Sequence, residues 1–240
     1  MRIAVLSDIH SNLVALDAVL AHAGKVDALW HLGDVVGYGP DPDGVVERLA
    51  SRAAVGVRGN HDAAALGGRE IDWFNPEART AVEWTGRTMT ATTQAWLTAL
   101  PERLQINDIT LVHASPRDPL REYITDGPAA AENFAEFETP HCLHGHTHVP
   151  VAWIARPERV DLLRGHDGTG VPLDGDRLLL NPGSVGQPRD GDPRAAYLVL
   201  DLDEARATWH RVAYDIAAVQ AAMRAVGLPA RLADRLAFGA

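Results

Sequence analysis

Arg2-Ile3-Ala4-Val5-Leu6-Ser7-Asp8-Ile9-His10 carries the chain from an apolar run straight onto a carboxylate and an imidazole two residues apart. An unbroken apolar run of this length suits a strand covered on both faces. The apolar positions that follow, Leu13, Leu16, Val19 and Leu20, have helical spacing, and Ser11 or Asn12 can cap that helix. Strand, loop and helix in this order predict an α/β fold, in which ligands bind beyond the carboxyl ends of the strands. Asp8 and His10 stand at such an end. Taken alone they would be ordinary loop residues.

The same arrangement recurs along the chain. Ala28 to Leu32 runs into Gly33-Asp34, and Ala53 to Val57 runs into Arg58-Gly59-Asn60-His61-Asp62. Ile109 to Val112 ends on His113, and Leu143 leads into His144-Gly145-His146-Thr147-His148. Alternate side chains in extended backbone share a side, about 7 Å apart, so His146 and His148 can address one ion or two neighbouring ions. Gly145 lets the backbone approach closely. Collected, Asp8, His10, Asp34, Asn60, His113, His146 and His148 provide two carboxylates, one amide and four imidazoles, without a thiolate. Such nitrogen and oxygen donors suit manganese, iron, cobalt, nickel or zinc and argue against a cysteine-type structural zinc site. A carboxylate such as Asp34 is the natural bridge between two ions. Metals about 3.5 to 4 Å apart activate water and clamp both the attacking and the leaving oxygen of a phosphoryl centre.

These five motifs, in this order, resemble those of the calcineurin-like metallophosphoesterases, and the chain looks like their small bacterial and archaeal phosphodiesterase branch. The resemblance runs from the first strand to about residue 150. It implies a four-layer α-β-β-α sandwich, two packed mixed sheets flanked by helices. It implies one ion on Asp8, His10, Asp34 and His148 and another on Asp34, Asn60, His113 and His146, with Asp34 as the bridge. His61 would stand near the leaving-group oxygen, giving a proton or a hydrogen bond, work suited to an imidazole near neutral pH. The implied reaction is hydrolysis by in-line attack of metal-bound hydroxide on a phosphoester, a diester before a monoester. Two divalent ions per chain follow, manganese first, with iron, nickel, cobalt or zinc as alternatives.

One motif departs from two branches of that superfamily. The phosphoprotein phosphatases and the symmetrical diadenosine tetraphosphate hydrolases carry Gly-Asp-x-x-Asp/Ala-Arg-Gly, whereas Gly37 and Tyr38 occupy the corresponding places here. A bidentate guanidinium clamp is missing at Tyr38, and position 37 offers no carboxylate to orient His61. Tyr38 is therefore a candidate to face the substrate in place of the arginine. Arg117, four residues beyond His113, is the first candidate to replace the clamp, the alternative being a surface ion pair with Asp118 or Glu122. Arg189 is the second, in the polar loop Gln187 to Pro193 that could border the cleft.

Composition bounds the rest. The 240 residues suffice for one large α/β domain, taken here as 1–240. No run approaches the roughly 18 apolar residues of a membrane span, and no hydrophobic signal segment precedes Asp8, so a cytoplasmic location is expected. Cys142 is the one cysteine; it can form no intrachain disulfide and reads as a small core residue. A net charge of −10 disfavours non-specific nucleic-acid binding but not a small phosphorylated substrate, because bound ions and local arginines set the potential of a cleft. No distinct apolar seam indicates an oligomer.

Elsewhere, Asn75-Pro76 starts a helix with apolar and aromatic residues at Ala78, Val82 and Trp84, and Thr92 to Leu100 forms another, stopped by Pro101. Ile71-Asp72-Trp73-Phe74 places two aromatics in a loop near Asn60, to anchor it on the core or to stack on a base or aryl group. After Pro150 come short runs at 151–155, 160–163, 177–180, 195–200 and 206–212, which predict a second sheet of their own rather than further βαβ units. A hairpin turn is expected at Asp201-Leu202-Asp203-Glu204. Asn181-Pro182-Gly183-Ser184 reads as architecture, and 214–226 and 228–238 as closing helices. The rival functions are a nucleotide or phosphoprotein phosphatase, and a protein-binding scaffold that has lost catalysis. The complete donor set and His61 speak against the scaffold.

Overall fold

The computed structural model describes residues 1–240. In chain order its elements are β1 (Arg2–Leu6), α1 (Leu13–Ala23), β2 (Ala28–His31), α2 (Pro42–Ser51), β3 (Val55–Gly56), α3 (Asn60–Ala65), α4 (Pro76–Thr88) and α5 (Ala91–Thr98). There follow β4 (Arg103–Ile106), β5 (Ile109–Val112), α6 (Gly127–Asn133), β6 (His141–Leu143), β7 (Val151–Ala155), β8 (Val160–Arg164) and β9 (Gly170–Pro172). The chain closes with β10 (Leu178–Asn181), β11 (Ala195–Asp201), β12 (Arg206–Val212), α7 (Ile216–Ala225) and α8 (Ala230–Asp234). Asn12 caps α1 and Asn75 caps α4, each accepting a backbone N–H three residues on.

The strands form two mixed sheets of six, in the orders β3-β2-β1-β11-β12-β9 and β4-β5-β6-β10-β7-β8. Alternation of side chains along a strand explains how β1 serves two layers. Ile3 and Val5 face the second sheet, packing with Leu111, Leu143 and Leu180, while Ala4 and Leu6 face Leu16 and Val19 of α1 and Val45 and Leu49 of α2. On the far side of the second sheet, Val112, Cys142 and Leu179 pack on Ala130, Phe134 and Phe137. The result is the four-layer α-β-β-α sandwich.

The strands after Pro150 do not make a sheet of their own, contrary to the sequence expectation. β9, β11 and β12 extend the sheet that β1 begins, and β7, β8 and β10 extend the one begun by β4 to β6. β11 pairs antiparallel with β1, Ile3 opposite Leu200. A second sheet made of these strands alone would have left the backbone of β1 and β6 as bare edges inside an apolar core. The Asp201–Arg206 hairpin forms as expected. Residues 69–73 form a short 3-10 helix where a loop was expected, and α2, α6, β4 and β9 are additional elements. The final stretch divides into α8 and a 3-10 turn, Arg235–Ala237. Val219, Met223, Leu232 and Leu236 pack with Tyr38, Ala78 and Ala81, which brings the chain's last helical segment to the edge of the cleft. No helix is long and apolar enough to cross a membrane.

Candidate metal centre

Parallel pairing of β1 with β2, of β2 with β3, and of β5 with β6, puts the carboxyl ends of these strands at one edge of the sandwich. Asp8, His10, Asp34, Asn60, His113, His146 and His148 all follow such ends, and all seven are buried. Five of them hold a left-handed backbone: Asp8 (φ 53), His10 (51), Asp34 (49), His146 (64) and His148 (61). Non-glycine residues there cost about 1–3 kcal/mol each and concentrate at functional sites. The surroundings hold them in place. Asp8 N–H donates to the Gly33 carbonyl at 3.1 Å and His10 N–H to that of Asp34 at 2.9 Å. Ser184 Oγ donates to the Asp8 carbonyl at 2.8 Å and Asn181 Nδ2 to that of Gly145 at 2.6 Å, so the turn at 181–184 is indeed architecture, applied directly to the site. At Gly145 a Cβ would lie 1.9 Å from Ser7 Oγ and 2.7 Å from Asp8 Oδ2; only glycine admits that approach.

Backbone carbonyls fix the histidine tautomers. Nδ1–H donates to Val36 O in His10 (3.2 Å), to Leu32 O in His113 (2.8 Å) and to Gln187 O in His148 (2.5 Å). A carbonyl only accepts, so each ring's proton is on Nδ1 and its lone pair on Nε2. Burial lowers the pKa of all three, which keeps the rings neutral. The Nε2 atoms of His10 and His148 nevertheless face each other at 3.2 Å. Two lone pairs form no hydrogen bond; a cation between them turns the repulsion into ligation. His113 Nε2 likewise converges with His146 Nδ1 (3.1 Å) and Asn60 Oδ1 (2.9 Å).

Each carboxylate has one oxygen held and one free. Asp8 Oδ2 accepts from the Ser7 hydroxyl (2.6 Å) and the His146 N–H (3.1 Å), and Asp34 Oδ1 from the His61 N–H (2.8 Å). Asp8 Oδ1 and Asp34 Oδ2 are buried without a donor. Asp34 Oδ2 lies 3.7 Å from His10 Nε2 and 3.5 Å from His113 Nε2. Donor atoms of Asp8, His10, Asp34 and His148 lie within 4.8 Å of one another, as do those of Asp34, His113 and His146. Asp34 belongs to both groups. Burial, then the nearby Asp8 and Asp62, pushes its carboxyl well above the usual range, a cost that cations in the two groups would reverse.

A cleft of about 250 Å³ opens over these donors, lined among others by Asp34, Asn60, His146 and His148. His61 lines it too, its ring 4.3 Å from those of both Tyr38 and Phe74. Burial, then the charge of Arg189, holds His61 well below the usual imidazole pKa. Asp62 fixes the local turn, accepting from Val36 N–H and Gly59 N–H at 2.9 Å. Of the two aromatics at 73–74, Phe74 is the core anchor and Trp73 stands exposed at the rim, with Arg121 over its ring at 4.4 Å. Arg189 lines the cleft and reaches Tyr38 OH at 3.5 Å. Arg117 does not line it. Its guanidinium is exposed and paired with Glu122 and Glu132, because two carboxylates within its reach outcompete a position at the cleft. Sequence reasoning passed over Tyr123, stacked on His146 with centroids 3.9 Å apart, and Arg235 at the cleft wall. No sequence signal marked either, since both stand far from the motifs they meet.

Two packed mixed sheets carrying buried nitrogen and oxygen donors at their strand ends define a metal-ligating four-layer α/β protein. The chain belongs to the calcineurin-like phosphoesterase superfamily, whose domain model matches residues 1–205. It is 36% identical to an uncharacterized protein of Methanocaldococcus jannaschii over 99% of this chain and 98% of that one. It is 47% identical to a metallophosphoesterase from Sphaerobacter thermophilus, whose crystal structure superposes with a TM-score of 0.92 over 100% of this chain and 99% of that one. A hypothetical protein from Pyrococcus horikoshii OT3 shares the fold at 20% identity, with a TM-score of 0.82 over 100% and 98% of the two chains.

Proposed function

We propose that this chain is a dinuclear metal-dependent phosphoric ester hydrolase that cleaves phosphodiesters, with manganese the first choice of metal. The observation that carries the reading is Asp34 Oδ2, buried without a donor and within 3.7 Å of an imidazole nitrogen from each donor group. When bound, two divalent ions supply Lewis acidity and activate water. The chain's own residues do the remainder. Asp8, His10, Asp34 and His148 hold one ion, and Asp34, Asn60, His113 and His146 the other. His61 Nδ1 is buried without a partner, which leaves Nε2 to face the cleft. As a neutral ring it gives a hydrogen bond to the departing oxygen at Nε2, rather than a full proton from an imidazolium. Tyr38 and Phe74 keep water from the other faces of that ring. Arg189 orients a non-bridging phosphoryl oxygen.

A diester agrees with Tyr38 standing where related branches carry arginine, because a singly charged phosphate needs less positive charge than a dianionic monoester. The small cleft suits a small phosphorylated substrate, and the lone free Cys142 agrees with a cytoplasmic enzyme. The test is metal content beside turnover of bis-p-nitrophenyl phosphate. Wild type should bind two manganese ions per chain and hydrolyse the diester faster than p-nitrophenyl phosphate, and Asp34→Ala should lose both uptake and turnover. An Asp34→Ala enzyme of unchanged rate overturns the reading.

A further inference from the structure

Arg189 and Arg235 both line the cleft, and neither guanidinium lies within salt-bridge distance of a carboxylate side chain, although the chain carries ten more acidic than basic residues. Arg189 is held by Gln187 Oε1 at 2.9 Å and by Tyr38 OH. Arg235 Nε donates to the Ala240 backbone oxygen, which leaves both its terminal nitrogens without a protein acceptor. Tyr38 lies beside both, its own pKa raised by burial and drawn down by the charges of Arg189 and Arg235.

The two cations are not equivalent. Arg189 lines the cleft together with Asp34, His61, His146 and His148, and its backbone N–H donates to the His148 carbonyl at 3.4 Å, so it sits beside the metal donors. Arg235 lines the same cleft, next to Leu236, which packs with Tyr38, and stands one step further out. It also lines an adjoining cavity of about 430 Å³ together with Asn75 and Arg231. That cavity's acidic side chain, Glu77, lies 3.7 Å from Arg231. Arg235 thus joins the cleft over the donor groups to the adjoining cavity. Two half-buried guanidiniums lining one cleft repel each other, and guanidinium geometry matches the phosphate oxygens that would relieve that repulsion.

We propose that Arg235, with Arg189, forms an anion subsite for a second phosphate group that the substrate carries beyond the phosphorus under attack. The substrate class is then a phosphoester with a further phosphate on the same molecule, in a cleft that Trp73 and Tyr123 also line. The orientation of that substrate rests on the hydrolase reading above, but the subsite itself is tested by binding.

The experiment is calorimetric titration of manganese-loaded protein with methylenediphosphonate, which carries two phosphonate groups, and with methylphosphonate, which carries one. Metal content is measured on the same sample. Wild type should bind the diphosphonate at least about tenfold more tightly, the equivalent of about 1.4 kcal/mol. Arg235→Gln should erase most of that preference, and Arg235→Lys should keep part of it through its charge. Equal affinities in wild type, or an Arg235→Gln variant that melts as wild type does and keeps the full preference, overturn the proposal. A sample that takes up no metal yet prefers the diphosphonate, with the preference lost in Arg235→Gln, sinks the dinuclear reading and leaves the subsite standing.

Discussion

A Cβ at Gly37 would lie 2.6 Å from His61 Nδ1 and 3.1 Å from its Cγ, and Gly37 holds φ +91°. The His61 ring therefore occupies the space that any side chain at position 37 would take. Gly37→Ala should displace the ring and strain the backbone. The expected result is a fall in kcat of about 100-fold, the scale of a 1 Å misplacement, with metal content retained. Steady-state kinetics on a metal-analysed sample checks it, and an unaltered kcat removes His61 from the mechanism.

Asn181 acts on the site through the segment that carries two of the donors. Its Nδ2 donates to Gly145 O and Thr147 Oγ1, and its Oδ1 accepts from Gly183 N–H at 2.8 Å. Asn181→Ala should loosen the segment that carries His146 and His148 and weaken metal affinity about 10- to 100-fold. Competition with a chelator reads this directly; unchanged affinity would show that the strands position the histidines unaided.

His31 is buried on β2 with both ring nitrogens unpartnered and its ring 5.4 Å from Trp96. Burial lowers its pKa to about 4. The unfolded chain then binds the proton first as pH falls, so stability is complete above about pH 6.5 and declines toward pH 4. The loss at this one site is on the order of 3 kcal/mol. His31→Leu should flatten the acid limb in urea unfolding at pH 7 and pH 4.5. A parallel pH dependence in the two proteins would place the acid sensitivity elsewhere.

Cys142 is buried between β5 and β10, and burial raises its thiol pKa. Iodoacetamide should leave the native protein unmodified for hours at pH 8 and label it promptly in 6 M guanidinium. Mass spectrometry distinguishes the two, and rapid native labelling would mean that the outer layer over this strand opens.

Arg117 lies outside the cleft in exposed ion pairs, contacts that solvent screens and that add little to stability. Arg117→Ala should leave turnover unchanged and stability nearly so, whereas Arg189→Ala should raise KM for bis-p-nitrophenyl phosphate. Kinetics of the two variants side by side separate the two candidates.

The donor residues were legible because each stands immediately beyond an apolar run, and strand ends are where α/β sheets gather polar groups. Legibility stopped where position depends on non-local pairing. The strands after Pro150 show their period but not their partners, because β-pairing is set by which edges of β1 and β6 remain open. Arg117 and Arg189 looked alike along the chain; Glu122 and Glu132 took one, while the loop through Gln187 delivered the other to Tyr38. The left-handed φ of five donor residues has no mark in their identities, since neither Asp nor His requires it.

Residue order by itself determined the donor types, their attachment to strand ends, and through them an α/β fold with its site at those ends, because apolar periodicity and ligand chemistry are local properties. Tertiary structure alone decided that Asp34 Oδ2 lies between two groups of imidazoles and that Arg235, from the last turn of the chain, stands beside Arg189. Those relations arise from packing between segments up to two hundred residues apart, where distance in space is set by burial of the sheets and helices and not by spacing along the chain.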